Sequence, residues 1–350
     1  MRCFRLLVLA PLSALACSDS AAPLTRIGAP LEALPIIIGP ILPNPFVPTP
    51  LAIPVGYQSG TAHAINSVGD IVGVAYASSG TPKPVRWSGN SVVFLSLPAG
   101  QSTGDVASIN DAGVAVGTGS SVTTTVGIRF GAAGGVALPD LGFGGGLAYD
   151  INSAGTVVGA ATNIAASVPV KWSASNAITQ LALPAGYASG LALAINDAGA
   201  STGFVFPASN WSARRAVVWD ASGAVTVLGL SFRGASEGTD IAPDGTVLMA
   251  GVVGSASYAG LASPPYASEA LLFQGHPRAR SSKGRIAGVS ATGSFAIAYY
   301  WSGIGTLPVP AGSNFSAASG INTCGTMVGS YSLSSSGPRP VKWSRPLCDP

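Results

Sequence analysis

The chain has 350 residues, of which 47% are apolar and only 9% charged, against roughly 25% charge in an ordinary soluble domain. That length and apolar content suffice for one large core or two moderate ones and exclude a charge-driven disordered chain. The net charge of +3 excludes an electrostatic case for DNA or RNA, which would need clustered Lys and Arg.

In chain order, Met1, Arg2 and Arg5 give a basic start, and residues 6–16 form an apolar run of eleven. Eleven residues are too few to span a bilayer, which needs about twenty, so 1–16 reads as an export signal. A small residue followed by Cys17 and Ser18-Asp19-Ser20 resembles a bacterial lipoprotein signal, with Cys17 lipidated. Ordinary cleavage after Ala14-Leu15-Ala16 is the alternative. Lipidation leaves one cysteine pair, Cys324 and Cys348, expected as a disulfide in an oxidising compartment; two unpaired small hydrophobes are the other reading. Residues 17–50 are proline-rich and almost uncharged, a composition for an extended tether.

From residue 51 the chain repeats itself, and its 46 Gly fall between recurrent apolar strings. The unit is A-x-x-I-N-x-x-G-x-x-V-G, then P-V-x-W, then an apolar strand ending in L-P. The turn occurs at Ile65-Asn66, Ile109-Asn110, Ile151-Asn152, Ile195-Asn196 and Ile321-Asn322, with drifted copies at Ile241-Ala242 and before Gly284. The turn glycines 69, 113, 155, 199, 245, 284 and 325 are 44, 42, 44, 46, 39 and 41 apart. Asn followed by Gly three residues later predicts a hairpin on a type I turn, with Asn at the first corner and Gly in the left-handed position. Trp87, Phe130, Trp172, Trp219, Trp301 and Trp343 recur 17 to 20 residues after the turn glycine, the spacing of a packing residue in each unit.

Each unit has room for four short strands and is too small to bury a core alone, so units must stack. The seventh unit stops after Trp343 without its L-x-L-P strand, while Leu51-Ala52-Ile53-Pro54-Val55-Gly56-Tyr57 matches Leu181-Ala182-Leu183-Pro184-Ala185-Gly186-Tyr187. The opening strand is therefore expected to complete the last unit. The expected fold is all-β: a seven-bladed β-propeller of four-stranded blades over 51–350, closed by the N-terminal strand pairing in the last blade. Closure pairs edges that a linear solenoid would leave open.

Over residues 51–345 these features resemble the HAF-repeat proteins of bacterial cell surfaces. The resemblance rests on the turn motif, the following aromatic and Asp140-Leu141-Gly142-Phe143-Gly144-Gly145, which is similar to that family's D-L-G-x-L-G-G connection. It implies an extracellular repeat protein and carries no established reaction. The eponymous His-Ala-Phe stretch is replaced here by Arg215-Ala216-Val217-Val218-Trp219 or Pro84-Val85-Arg86-Trp87, a departure that counts against any histidine-based activity.

The catalytic inventory is thin: two histidines, His63 and His276, and no nucleophile elbow, zinc pair or calcium loop. No cofactor or metal is expected. Asp150 and Asp240 both precede the turn isoleucine on the innermost strand, where two acids could share general acid and base work. Between units five and six the spacing contracts. Leu261 then falls near the Trp position, and residues 270–273 form the outer strand. His276, Arg278, Arg280 and Lys283 follow, and Trp211, Arg214 and Arg215 are expected on the same face. Together these seven form the expected ligand site, suited to an acidic glycan or other envelope polymer. The expected protein is a monomeric binding or scaffold module, exported to the outer membrane or cell surface and reaching the membrane only through its lipid. A glycan-processing enzyme and a structural envelope subunit are the alternatives.

Overall fold

The computed structural model describes residues 46–345 apart from 209, 292–294, 301–302 and 334–335, and gives no side chains at 298–300 and 303. The signal segment 1–16, Cys17, most of the 17–50 tether, Trp301 and Cys348 lie outside the described residues. Cys324 is disulfide-bonded. Among the described residues every element is a strand except a 3-10 turn at Trp211–Ala213.

Unit one shows the pattern. Strands Tyr57–Ile65, Ile71–Ala77, Pro82–Ser88 and Ser91–Phe94 form an antiparallel sheet in chain order, and the same meander recurs over 103–137, 145–180 and 189–227. The second strand of each four-stranded meander is largely buried on both faces, as in Val157–Thr162, whereas outer strands such as Ser91–Phe94 are largely exposed. Neighbouring sheets supply the missing face. Val116 and Leu138 of unit two pack in one cluster with Ala148, Val157 and Trp172 of unit three, and Val328 near the C-terminus packs with Ala62, Ile71 and Trp87 of unit one.

The turns form as the motif requires. The seven turn glycines have φ between +75° and +92°, the region that penalises a Cβ. Asn66 Oδ1 accepts from the Asp70 N–H at 2.8 Å, closing the corner. Its Nδ2 does something that turn chemistry does not predict, donating at 3.1 Å to the carbonyl of Asn110 in the next unit. Asn110 donates to Asn152, Asn152 to Asn196, Asn196 to Ala242, and Asn322 back to Asn66. A buried amide thus fixes its own turn and ties it to its neighbour.

The tryptophans also join units. Trp87 Nε1 donates to the Ala52 carbonyl, Trp172 to Pro139, Trp219 to Ala182 and Trp343 to Pro308, at 2.6–2.7 Å. Each acceptor lies in an L-P segment preceding that Trp's own sheet. In unit five the register sets Ala262, one residue past Leu261, opposite Val247, where Trp87 stands opposite Ile71. Phe232 is buried in the same cluster as Ala262, and a Cβ on Gly251 would collide with its ring. In unit six Tyr299 takes the register position opposite Ile286.

The contracted boundary is resolved by one long strand, Glu269–Arg280. Its first half pairs with Ala256–Ala262 as an outer strand and its second half pairs with Ile286–Ser290 as an inner strand, with no loop between. A seven-stranded sheet over 236–306 results. The last sheet has three strands from 313–344 plus Val47–Pro50, registered Val47 to Ser344 and Pro48 to Trp343. That strand lies a few residues earlier than the matched 51–57 segment, inside the stretch read as tether. Alternating Pro48 and Pro50 are compatible with an edge strand, where only every second N–H need face the partner. Phe46, just before it, is buried.

Candidate functional site

The first strand of every unit breaks register at the same point, three residues before its turn. Pairing skips His63, Ala107, Tyr149, Leu193, Thr239, Arg278 and Ser319 in turn. Each is a β-bulge, which re-aims the extra residue. All seven line a single cavity of about 220 Å³. In six of the seven units the last glycine of the repeat motif stands opposite this bulge, and in unit five Met249 takes its place opposite Gly238. A Cβ on Gly73, Gly117, Gly159, Gly203 or Gly329 would strike the carbonyl oxygen that the bulge pushes across from Thr61, Asp105, Leu147, Leu191 or Ala317. An isolated strand glycine is a sequence signal for such close approach; read with the one motif position that never repeats, it could have located the site.

One residue past each bulge come Ala64, Ser108, Asp150, Ala194, Asp240, Ala279 and Gly320; two residues before it come Thr61, Asp105, Leu147, Leu191, Glu237, His276 and Ala317. Both of the chain's histidines and four of its acids fall at these three levels, with Arg278. A charge-poor chain has concentrated titratable groups on its innermost strands.

His63 is held from both ring nitrogens. Its Nδ1 lies 2.9 Å from the Val106 carbonyl oxygen and 3.1 Å from Asp105 Oδ1, and its Nε2 lies 2.8 Å from Thr61 Oγ1. These partners assign the proton to Nδ1 and make the Thr61 hydroxyl a donor to Nε2. Burial pulls the His63 pKa down, but the hydrogen bond and charge of Asp105 outweigh it and leave it raised.

Burial pushes the Asp150 carboxyl up to about 7, with the charge of Asp240 adding to it, against hydrogen bonds from Ser108 Oγ at 2.7 Å, the Ile195 N–H and the Ile151 N–H. Asp240 is raised by burial too, while the N–H groups of Arg280 at 2.6 Å and Ile241 oppose it. Each carboxylate therefore ties its own strand to the next unit's, and its lone pairs are largely taken. Burial raises Tyr149 to about 12 and lowers Arg278. Among the described residues no group of three His, Cys, Asp or Glu side chains is placed to hold a metal ion.

The seven residues expected as a ligand site divide into separate groups. Arg214 Nε donates to Glu237 Oε2 at 3.0 Å and His276 Nε2 lies 3.2 Å from Glu237 Oε1, so Arg214 and His276 do meet, through an acid the sequence reading missed. The Arg214 guanidinium lies over Trp211 and Phe204, with centroids 5.6 and 5.9 Å away. Trp211 stands edge-on to Phe204 at 5.0 Å, is 5.0 Å from Phe206 and remains 52% exposed. Arg215 is directed to the carbonyls of Gly234 and Arg214. Arg278 is the bulge residue in the cavity. Arg280 and Lys283 do not share the face of Trp211. They fall at the turn end of the strand, about 13 Å or more from His276 at 3.3 Å per residue; Arg280 offers its backbone N–H to Asp240 there.

No protein-family model matches the chain, and no curated protein matches it. Solved structures do. Virginiamycin B lyase from Staphylococcus aureus, as a catalytically inactive histidine-to-alanine variant with quinupristin, is 11% identical over 85% of this chain and 99% of that chain, with a TM-score of 0.60. Oligogalacturonate lyase in complex with manganese is 10% identical over 86% and 98%, at 0.55. YCF48 bound to D1 peptide is 14% identical over 89% and 99%, at 0.51. The chain thus has the fold of the β-propellers, a class that includes enzymes and binding proteins.

Proposed function

We propose that the chain is a seven-bladed propeller, sealed where Val47–Pro50 joins the last sheet. We further propose that it serves as a ligand-binding module of the bacterial envelope, exported and anchored through Cys17, reading an envelope polymer or acidic glycan on its axis. Support for the ring comes from the Asn322 to Asn66 bond and from a cavity to which first strands of all seven units contribute. Support for export comes from the signal-like start, and the HAF-repeat resemblance agrees with a surface location.

The observation that carries the binding role is the contrast within one motif. Turn, glycine and aromatic recur from unit to unit, while the seven side chains delivered to the cavity all differ. A fold needs the recurring positions; only an occupant of the axis distinguishes the others. Binding of the mature chain to a panel of envelope polymers and acidic glycans tests this. A Leu193→Asp, His63→Ala variant that stays folded is expected to lose binding; unchanged binding would remove the axial reading.

A second reading, a glycan-processing enzyme, rests on one alignment: Thr61 hydroxyl, His63 imidazole and Asp105 carboxylate in sequence, the order of a base and its orienting acid. The Asp150 and Asp240 pair serves that reading less well, being engaged with backbone. New reducing ends from a polysaccharide panel, absent with His63→Ala, would favour the enzyme.

A further inference from the structure

We infer that the axial funnel takes an amphiphilic carboxylate, its anionic group on Arg278 and its apolar body against Tyr149 and Leu193. The inference rests on the axial reading above and adds the chemistry of the occupant.

The charges are arranged so that one cation is left over. His63 is matched to Asp105 and His276 to Glu237, whose other oxygen holds Arg214. Asp240 accepts from backbone N–H groups, as Asp150 does from N–H groups and the Ser108 hydroxyl. No hydrogen bond or ion pair to the Arg278 guanidinium exists among the described residues, although it stands in the cavity between the two histidine pairs. The Arg278 side chain is exposed to that space, and its planar fork matches a carboxylate with two parallel hydrogen bonds. Ser319, in the unit between Arg278 and His63, adds a hydroxyl to that side of the cavity. Two buried acids near the same space disfavour a doubly charged phosphate and favour a single charge.

The opposite arc is apolar at the bulge and two residues before it. Tyr149 and Leu193 line the cavity, and both pack in one cluster with Leu147, Leu191, Phe204 and Phe206. Phe204 and Phe206 pass the surface on to exposed Trp211. An occupant therefore meets a cation on one side and a continuous apolar and aromatic wall on the other. Both an aromatic acid and the carboxylate-bearing pyranose of a uronic acid have that shape.

The two histidines make the test direct, since their ring NMR signals report on the funnel without competing resonances. The mature chain is titrated with benzoate and with galacturonate, and in parallel with neutral benzamide and galactose. At least one acid is expected to shift the His63 signals saturably, its neutral counterpart needing at least about tenfold more. Arg278→Gln is expected to abolish the difference and Arg278→Lys to restore part of it. Benzoate alone marks an aromatic acid as the source, galacturonate alone a glycan. Neutral probes that bind as well as the acids, or an Arg278→Gln variant that binds them unchanged, would overturn the inference while leaving the axial site standing. Silence of both histidines toward both acids would overturn it too. Axial substitutions that also leave polymer binding unchanged would bring down the proposed function as well.

Discussion

Three residues separate two positions on each inner strand that obey opposite rules. At the turn, five of seven units carry Asn, and the amide spans two units through bonds to buried backbone. At the bulge, the backbone is the same in all seven units and no two side chains agree. Where a side chain closes a hydrogen-bond account between neighbours, only one chemistry serves. Where it lines the cavity, seven different side chains are accommodated on one backbone, as the proposed binding role requires.

Substitutions can break or sharpen that contrast. The largest loss is expected at the recurring aromatic: Trp343→Ala removes a fully buried ring and its bond to Pro308, on the strand that carries Val47–Pro50. A loss of about 3–5 kcal/mol in chemical denaturation is expected. Asn110→Ala strands the Asn152 carbonyl and the Val114 N–H, for about 2–4 kcal/mol by the same measurement.

Asp150 lies between the two rules, recurring only at Asp240 yet bonded to two strands. Its carboxyl titrates near about 7 when folded and near about 4 when unfolded. The folded chain therefore holds a proton that the unfolded chain gives up between those values. This contributes stability that is present below about pH 4 and lost as pH rises through about 7, at up to about 1.4 kcal/mol per pH unit. Asp150→Asn should flatten that slope in a stability series from pH 4 to 8; an unchanged slope would assign it elsewhere. The smallest effect is expected at the bulge itself, where Arg278→Ala and Leu193→Thr should each stay within about 0.5 kcal/mol of the parent.

The architecture was legible wherever it recurs locally. The glycine spacing, the Asn turn, the packed tryptophans and the outer strand at 270–273 follow from short motifs whose physics is contained within a few residues. Features built across units were not. The second bond of each Asn reaches 42 to 46 residues along the chain, or from Asn322 back to Asn66, and nothing in the turn residue announces it. Phe232, buried beside Ala262 where unit five has no tryptophan, lies in a connection, outside the motif. Val47–Pro50 was hidden by its prolines, which signal a tether unless the strand is known to be an edge. The expected ligand site followed charge and aromatic content. It captured the Trp211, Arg214 and His276 meeting, missed Glu237 between them, and set Arg280 and Lys283 on the wrong face, because a strand separates its two ends by its full length. The bulge residues lining the cavity were hidden for a simpler reason: theirs is the single motif position that does not repeat.

The most direct test is a stability scan of all single substitutions at two positions per unit, the bulge residue and the turn residue three positions later, read by protease susceptibility. Broad tolerance is expected at 63, 107, 149, 193, 239, 278 and 319, against severe loss at Asn66, Asn110, Asn152, Asn196 and Asn322. Equal intolerance at the bulge positions would mean that those side chains serve the fold, and the axial site would lose its basis.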